Sequence, residues 1–468
     1  MGRESPSGWT EATFEDLLDY LQPSKYIVSS TEYDDNYDTP VLTAGKSFIL
    51  GYTKETENVF NQLPAIIFDD FTTAIKFVNF PFKVKSSAMK ILVPISRNVD
   101  IKYVYYYMET VKISSATHKR YWISTYSKIS IPLPPLNEQH RIVAKIEELF
   151  TKLDATIAEL KKIKQQIKRY RQSVLKAAFE GKLTDGWRRK HPDSNAMYLI
   201  EQIDKYRPSK LNKSFIEKSI SKYEIPGEWK CVRIKDIYSL LTDYHSNGSY
   251  KNLKAKVTLL DKPDYAIMIR ATNFEKNNFI DLAKYITKDA YEFMSKSKLY
   301  GREILIGKIG NAGKVYFMPV LDRPASLAMN LFALRFPEII NSKYIYYHLI
   351  GSFSTSDIKT HVKGVANVTI DKRAIRSLNI VLPSTNEQNE IVEEIESRFS
   401  IADKIEETVK ENLKKTESLR QSILKKAFEG KLVPQDPTDE PAEKLLERIK
   451  AEKKDLKNNY GGLNEYIT

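Results

Sequence analysis

Between residues 137 and 183 apolar side chains recur in steps of three and four, at Ile142, Ile146, Leu149, Leu153, Ile157, Leu160, Ile163, Ile167, Tyr170, Val174 and Ala178. A second stretch repeats the rhythm at Ile391, Ile395, Phe399, Ala402, Ile405, Val409, Leu413, Thr416, Leu419, Ile423 and Ala427, with charged residues between. This is the spacing of a narrow helical seam. Proline-bearing phrases, IPLPPL and VLPST, precede the two runs, which makes Asn137 and Asn386 the expected N-caps and Gly181 and Gly430 the expected stops. A helix of some 45 residues is a rod of roughly 65 Å, too long to stand without a partner. Two such seams in one chain predict an intramolecular, antiparallel coiled coil.

The two runs are copies. NEQHRIVAKIEELF…RQSVLKAAFEGKL, from Asn137 to Leu183, aligns without a gap on NEQNEIVEEIESRF…RQSILKKAFEGKL, from Asn386 to Leu432, at a constant offset of 249. Upstream, Trp9, Phe14, Asp16 and Leu17 answer Trp229, Ile234, Asp236 and Ile237 at an offset of 220. Downstream, AMYLIEQI from Ala196 answers AEKLLERI from Ala442. Tyr20–Lys128 and Tyr238–Ser377 lie between the markers and give no convincing alignment. A repeated frame with unlike inserts means one architecture used twice on two different objects.

In both inserts strand-like runs alternate with turns: PVLTAGKSFILGYT, PAIIFDDFTTAIKFVNF and FKVKSSAMKILVPI in the first, AIMIRATNF, REILIGKIGNAGKVYFM and ASLAMNLFALRF in the second, which adds a helical KYIYYHLIG. The fold class is α/β (α+β): two mixed domains joined by two long antiparallel helices. The expected boundaries are 1–134 for the first domain, 135–185 for the first long helix and 186–225 for a linker with a short helix. They continue with 226–383 for the second domain, 384–432 for the second long helix and 433–468 for a tail with a short helix.

Charge narrows the partner. With 73 Lys and Arg against 60 Asp and Glu the net charge is +13, which favours a polyanion such as nucleic acid or an acidic membrane surface. No stretch has the roughly 18 apolar residues of a spanning helix and the start is not a signal peptide, so no membrane is expected. A single cysteine, Cys231, allows neither an internal disulfide nor a thiolate cluster and suits the cytoplasm, and six scattered His offer no zinc site.

Catalytic motifs fail one by one. AGKS at Ala44–Ser47 ends like a phosphate loop, but Pro40 stands where its first glycine is required. Gly307, Gly310 and Gly313 read as a hairpin turn, and the adjacent Asp69 and Asp70 as structural. Pro134 and Pro135 are flanked by leucines, so the adenine methyltransferase signature is absent, and no nuclease carboxylate and lysine cluster is found. The chain is expected to be no enzyme, to hold no cofactor and to bind no metal.

The duplicated frame, NEQ…RQS(V/I)LKxAFEGKL after I-P-L-P or V-L-P, resembles the conserved regions of type I restriction-modification specificity subunits across essentially the whole chain. QPSKY, IIFDDFTTA and KSSAMK resemble one class of target recognition domain, GKIGNAGKVYF and LAMNLF another. The resemblance implies that each domain reads one half of a split, asymmetric site on double-stranded DNA while the helices set the gap. It also implies two modification (methyltransferase) subunits docked on the helices and carrying S-adenosylmethionine, joined by restriction subunits that translocate and cut. Basic and polar residues in or beside turns are the expected DNA contacts: Lys46, Ser47, Lys76, Ser86, Ser87, Lys90, Lys119 and Arg120 in the first domain, Arg270, Asn273, Lys308, Asn311, Lys363 and Asn367 in the second. The basic stretch RPSKLNKSFIEKSISK, before the second domain, reads as linker or as a further contact. The rival from another class is a coiled-coil scaffold whose inserts bind proteins.

Overall fold

The computed structural model describes residues 6–43, 47–113, 120–205, 224–364 and 368–460. The chain divides into two compact units: residues 1–161 with 410–468, and residues 162–409. The cuts fall inside the long helices, so each long helix contributes residues to both units.

In the first unit the frame strands Thr10–Thr13 and Ser130–Leu133 pair antiparallel. The insert adds a four-stranded antiparallel sheet in the order Leu18–Leu21, Met89–Pro94, Ala65–Asp69, Ile75–Val78. A three-stranded sheet follows the order Ile49–Thr53, Thr39–Leu42, Lys83–Val84. In the second unit the frame pair is Lys230–Arg233 with Asn379–Leu382. Its insert holds two four-stranded sheets. One runs Leu240–Asp243, Leu331–Arg335, Ile304–Gly307, Val315–Phe317, and the other Tyr285–Ile286, Ala266–Ile269, Ala325–Leu327, Lys298–Leu299. Both inserts are therefore mixed α and β, as their alternating runs predict, yet the sheets differ in number and order.

The long helices are Leu136–Phe179 and Thr385–Phe428. In the first unit Arg420 donates to Asp154 at 3.1 Å and covers the Phe150 ring at 4.0 Å. In the second its copy Arg171 donates to Asp403 at 2.6 Å and covers Phe399 at 5.0 Å. From Asp154 to Arg171 one helix advances 17 residues while its partner retreats 17, from Arg420 to Asp403, so the helices run antiparallel. The seam differs in detail. Tyr170, Ile405 and Leu419 are exposed, whereas Phe150 and Leu424, outside the expected stripe, are buried. A straight helix drifts about 20° per heptad against a 3.5 repeat, and the buried positions drift with it.

The helices begin one residue before the expected caps. Pro135 accepts the first intrahelical bond of one, and in the other Ser384 Oγ accepts from the Glu387 amide at 3.3 Å. Asn137 instead donates its side-chain amide to Asp439 at 3.1 Å. The stops hold: Gly181 and Gly430 have φ of +72° and +66°, and a Cβ on either would lie 2.4 Å from Pro226 Cγ or 2.5 Å from Pro6 Cγ.

The short helices are integral parts of the cores. Ala196–Lys205 buries Leu199, Ile200 and Ile203 with Trp229 in the second unit, and its Ala196 amide bonds Glu228 O at 3.0 Å. Ala442–Tyr460 buries Leu445, Leu446 and Ile449 with Trp9 in the first, and its Ala442 amide bonds Gly8 O at 2.9 Å. The segments expected as linker and tail thus each complete the domain of the other repeat.

Candidate nucleic-acid interface

The repeated NEQ explains how each domain is fastened to its long helix. Trp9 Nε1 donates to Glu138 Oε2 at 3.0 Å, and Trp229 Nε1 to Glu387 Oε2 at 2.7 Å. The following Gln139 and Gln388 donate to Pro134 O and Pro383 O at 3.0 and 3.1 Å. Their Oε1 atoms accept from the Asp100 amide at 3.2 Å and the Asn341 amide at 2.9 Å, at the N-caps of helices Ile101–Met108 and Ser342–Ile350. Those helices are copies that sequence comparison missed. KYVYYY aligns on KYIYYH, and Tyr103 and Tyr344, both buried, donate their hydroxyls to Pro132 O and Val381 O at 2.6 Å each. The signal was a short tyrosine-rich motif without alignable flanks.

The copies differ at the carboxylate. Glu387 Oε1 accepts from Thr184 Oγ1 at 2.8 Å and from the Arg188 guanidinium. Glu138 Oε1 is buried with no hydrogen-bond partner, because Val433 and Pro437 stand where the other copy has Thr184 and Arg188. Burial pushes the Glu138 carboxyl above the usual carboxylate range, although the Trp9 indole pulls the other way.

Against this fixed frame, the ends of several strands meet at one rim of each insert. In the first, the Lys85 amide bonds Leu42 O at 3.1 Å, Asp70 bonds Ala88 O at 3.3 Å and Tyr121 bonds Asp70 O at 3.1 Å. These bonds join the hairpin carrying Ser47, the turn carrying Ser86 and Ser87, the Asp69–Thr73 turn and Arg120 into a continuous edge, and all four of those predicted side chains are exposed. Lys85, also exposed in that turn, was missed. Lys76 is half-buried on the adjoining edge strand, opposite Ile67.

Lys90 does not belong to the surface. Only 3% exposed, its ammonium faces Asp70 at 4.0 Å and the Tyr20 ring at 5.0 Å; its position in strand Met89–Pro94 turns it inward. The two aspartates are structural, as expected. Asp69 Oδ1 accepts from the Phe71 and Thr72 amides at 2.8 Å each, and Asp70 Oδ1 from the Trp122 amide at 2.8 Å. Lys46 and Lys119 lie outside the described residues.

The second rim is built alike. Lys308 N bonds Asn330 O at 2.8 Å, Ile370 N bonds Lys308 O at 3.1 Å, Gly310 N bonds Val368 O at 3.0 Å and Ala328 N bonds Ile269 O at 3.0 Å. These bonds bring the Gly307–Lys314 hairpin, Met329 and Asn330, the segment Val368–Ile370 and the turn at Arg270 to one edge, and Lys363 joins it through an isolated bridge to Thr369. Asn311 and Lys363 are exposed, with Ile309 and Met329 among them. Arg270 is half-buried and donates Nη2 to Leu282 O at 2.6 Å.

Two further predicted contacts are spent inside the domain. Asn273 is fully buried: it accepts from the Arg270 amide at 2.9 Å and donates to Asn278 O at 3.0 Å, closing a turn. Lys308 places Nζ 2.9 Å from Asp243, which also receives Lys372 at 2.7 Å and Ser246 at 2.8 Å. Burial alone would raise the Asp243 carboxyl, but these three donors outweigh it and hold it at about 2. Asn367 and the Arg207–Lys222 basic stretch lie outside the described residues.

Among the described residues no group of three or more His, Cys, Asp or Glu could hold a metal ion, and no helix is long and apolar enough to cross a membrane. The rims offer exposed amides, hydroxyls and cations on loops pinned by backbone bonds, which is the chemistry of groove and phosphate contact.

A family model described as the type I restriction modification DNA specificity domain matches residues 6–169 and again 226–415. The specificity subunit of the EcoR124I/EcoR124II type I restriction enzyme of Escherichia coli is 32% identical over 410 residues, covering 84% of this chain and 87% of the relative. That of the EcoBI enzyme of Escherichia coli is 29% identical over 356 residues, 73% and 68% of the two chains. A solved chain from work on complex assembly and conformational transition of the type I R-M system superposes with a TM-score of 0.59 at 15% identity, over 92% of this chain and 99% of that one, a likeness of fold.

Proposed function

This chain belongs to the type I restriction-modification DNA specificity family, and we propose that its two rims each read one half of a bipartite, asymmetric site on double-stranded DNA. The observation that carries this reading is the contrast between frame and insert. The Trp-to-Glu and Gln-to-backbone bonds recur in both units, while the rims they present differ in sheet order and side chains. A conserved mount with two unlike heads suits a target with two unlike parts. The long antiparallel helices then set the gap, and their outer faces receive two modification subunits, which bring S-adenosylmethionine and methylate adenine. Restriction subunits join that assembly in the cytoplasm. This chain contributes recognition and no catalytic group.

The test is binding of duplex DNA by the purified chain with its modification subunit across a salt series. The reading expects affinity to fall steeply with salt, with a slope of about −0.9 per phosphate neutralised, and a specific duplex to outlast a scrambled one. A scaffold that binds only proteins gives neither.

A further inference from the structure

The second rim carries an exposed carboxylate, a costly group beside phosphates unless it has a task. Glu275, at the end of helix Ala271–Glu275, accepts through one oxygen from Asn311 Nδ2 at 2.6 Å, Lys314 Nζ at 3.1 Å and Tyr316 Oη at 3.3 Å. Asn311 sits at the tip of the Gly307–Lys314 hairpin, whose backbone has little freedom. A Cβ on Gly307 would lie 2.0 Å from Asn311 O, and one on Gly313, where φ is +80°, would lie 2.4 Å from Ile358 Cγ2. The Gly310 amide is tied to Val368 O at 3.0 Å.

A carboxylate only accepts hydrogen bonds, so it admits one orientation of the Asn311 amide, nitrogen inward. One N–H of that amide is taken by Glu275. The other N–H and the oxygen remain, side by side, on a rigid exposed tip. A donor beside an acceptor is the complement of the major-groove edge of adenine, where N7 accepts and the N6 amino group donates; guanine presents two acceptors there and repels the amide oxygen.

Resting on the reading of this rim as a DNA reader, we propose that Asn311 reads one adenine in the half-site of the second unit, and that Glu275 is the positioning residue that fixes its amide for that base. Lys314 and Tyr316 hold Glu275 in turn, which leaves the carboxylate compensated beside the backbone of the duplex.

The experiment uses the full chain assembled with its modification subunits and measures methylation kcat/KM on duplexes in which each adenine of that half-site is replaced in turn by 7-deazaadenine, which lacks the N7 acceptor. The wild type should lose on the order of tenfold at one adenine that is not the methylated base. Asn311→Ala should be indifferent to the analogue at that adenine and unchanged in its response elsewhere. Glu275→Ala should match Asn311→Ala, while Glu275→Gln, whose amide oxygen can still accept, should recover the discrimination. Equal losses at every position in both variants would make the pair a structural prop and overturn the proposal. So would a wild type with a defined bipartite site to which Asn311→Ala makes no difference. A wild type that methylates without sequence preference would overturn the DNA-reading assignment beneath it.

Discussion

The twin carboxylates offer an internal control, because one sequence element has been placed in two environments. Glu387→Gln removes a charge whose two oxygens are both in use, by Trp229 at 2.7 Å, by Thr184 at 2.8 Å and by the Arg188 guanidinium. The amide that replaces it can accept through only one oxygen and turns an NH2 toward donors; Arg188, only 12% exposed, loses its nearest anion and keeps Gly181 O at 2.7 Å and the more distant Asp185 and Glu228 carboxylates at 3.7 and 4.0 Å. Breaking a buried pair costs about 3 to 5 kcal/mol, and the partners that remain to Arg188 put this loss at the lower end, about 3 kcal/mol. Glu138→Gln keeps an oxygen for Trp9 at 3.0 Å and replaces a carboxylate oxygen that had no partner, so its cost should stay within about 1 kcal/mol. Native-state hydrogen exchange reads each unit separately through its frame strands. For Glu387→Gln, amides of Lys230–Arg233 and Asn379–Leu382 should exchange roughly a hundredfold faster or more, which is what 3 kcal/mol means at about 1.4 kcal/mol per decade, if opening of the whole unit governs them. For Glu138→Gln, amides of Thr10–Thr13 should change by less than about fivefold. Equal effects in the two units would refute the claim that Arg188 and Thr184 distinguish them.

Acid should weaken the second unit first. Complete burial holds His348 down at about 3; its Nε2 accepts from the Val381 amide at 3.1 Å and its Nδ1 faces Ser354 at 2.8 Å, so the folded ring is neutral. Its ordinary value is near 6.5, so the unfolded chain takes up the proton first and stability is lost as pH falls from 6.5 toward 3, by about 2 kcal/mol at pH 5. Asp243, held at about 2 against an unfolded 3.8, adds a loss between those values, while Glu138, raised, favours the first unit as pH falls. Hydrogen exchange at pH 7 and 5, corrected for intrinsic rates, should show protection falling in the second unit alone, and His348→Gln should abolish that difference. Gly430→Ala should destabilise the first unit by about 1 to 3 kcal/mol, through a strained φ of +66° and a clash with Pro6, seen as a lower midpoint in urea. Arg120→Ala or Lys363→Ala should each reduce the salt slope of DNA binding by about 1 without altering which adenines are methylated; an altered methylation pattern would make that residue a base reader instead.

The long helices and the duplication were legible because both are strictly periodic signals with no tertiary ingredient. What NEQ does was not legible, since Glu138 acts on Trp9 and Gln139 on the Asp100 amide, contacts across 129 and 39 residues that no local pattern encodes. The short helices were found, but the sequence assigns each to its own repeat, whereas the antiparallel rods return it to the other domain. Residue type placed candidate contacts near turns, and Ser47, Ser86, Ser87, Arg120, Asn311 and Lys363 do lie exposed on the rims. It could not tell a lysine at a strand end from one facing into the sheet, hence Lys90, nor an asparagine exposed on the rim from one that closes its own turn, hence Asn273. Glu275 was passed over because an acidic residue on an edge proposed to meet DNA makes sense only once Asn311 is seen beside it.

The most direct measurement is a genome-wide map of methylated adenines in a host carrying the complete system, with and without the gene for this chain. The account predicts that the gene adds one motif of two unequal half-sites separated by an unspecified gap of constant length. Methylation that is unchanged by the gene, or added at a single uninterrupted motif, would contradict it.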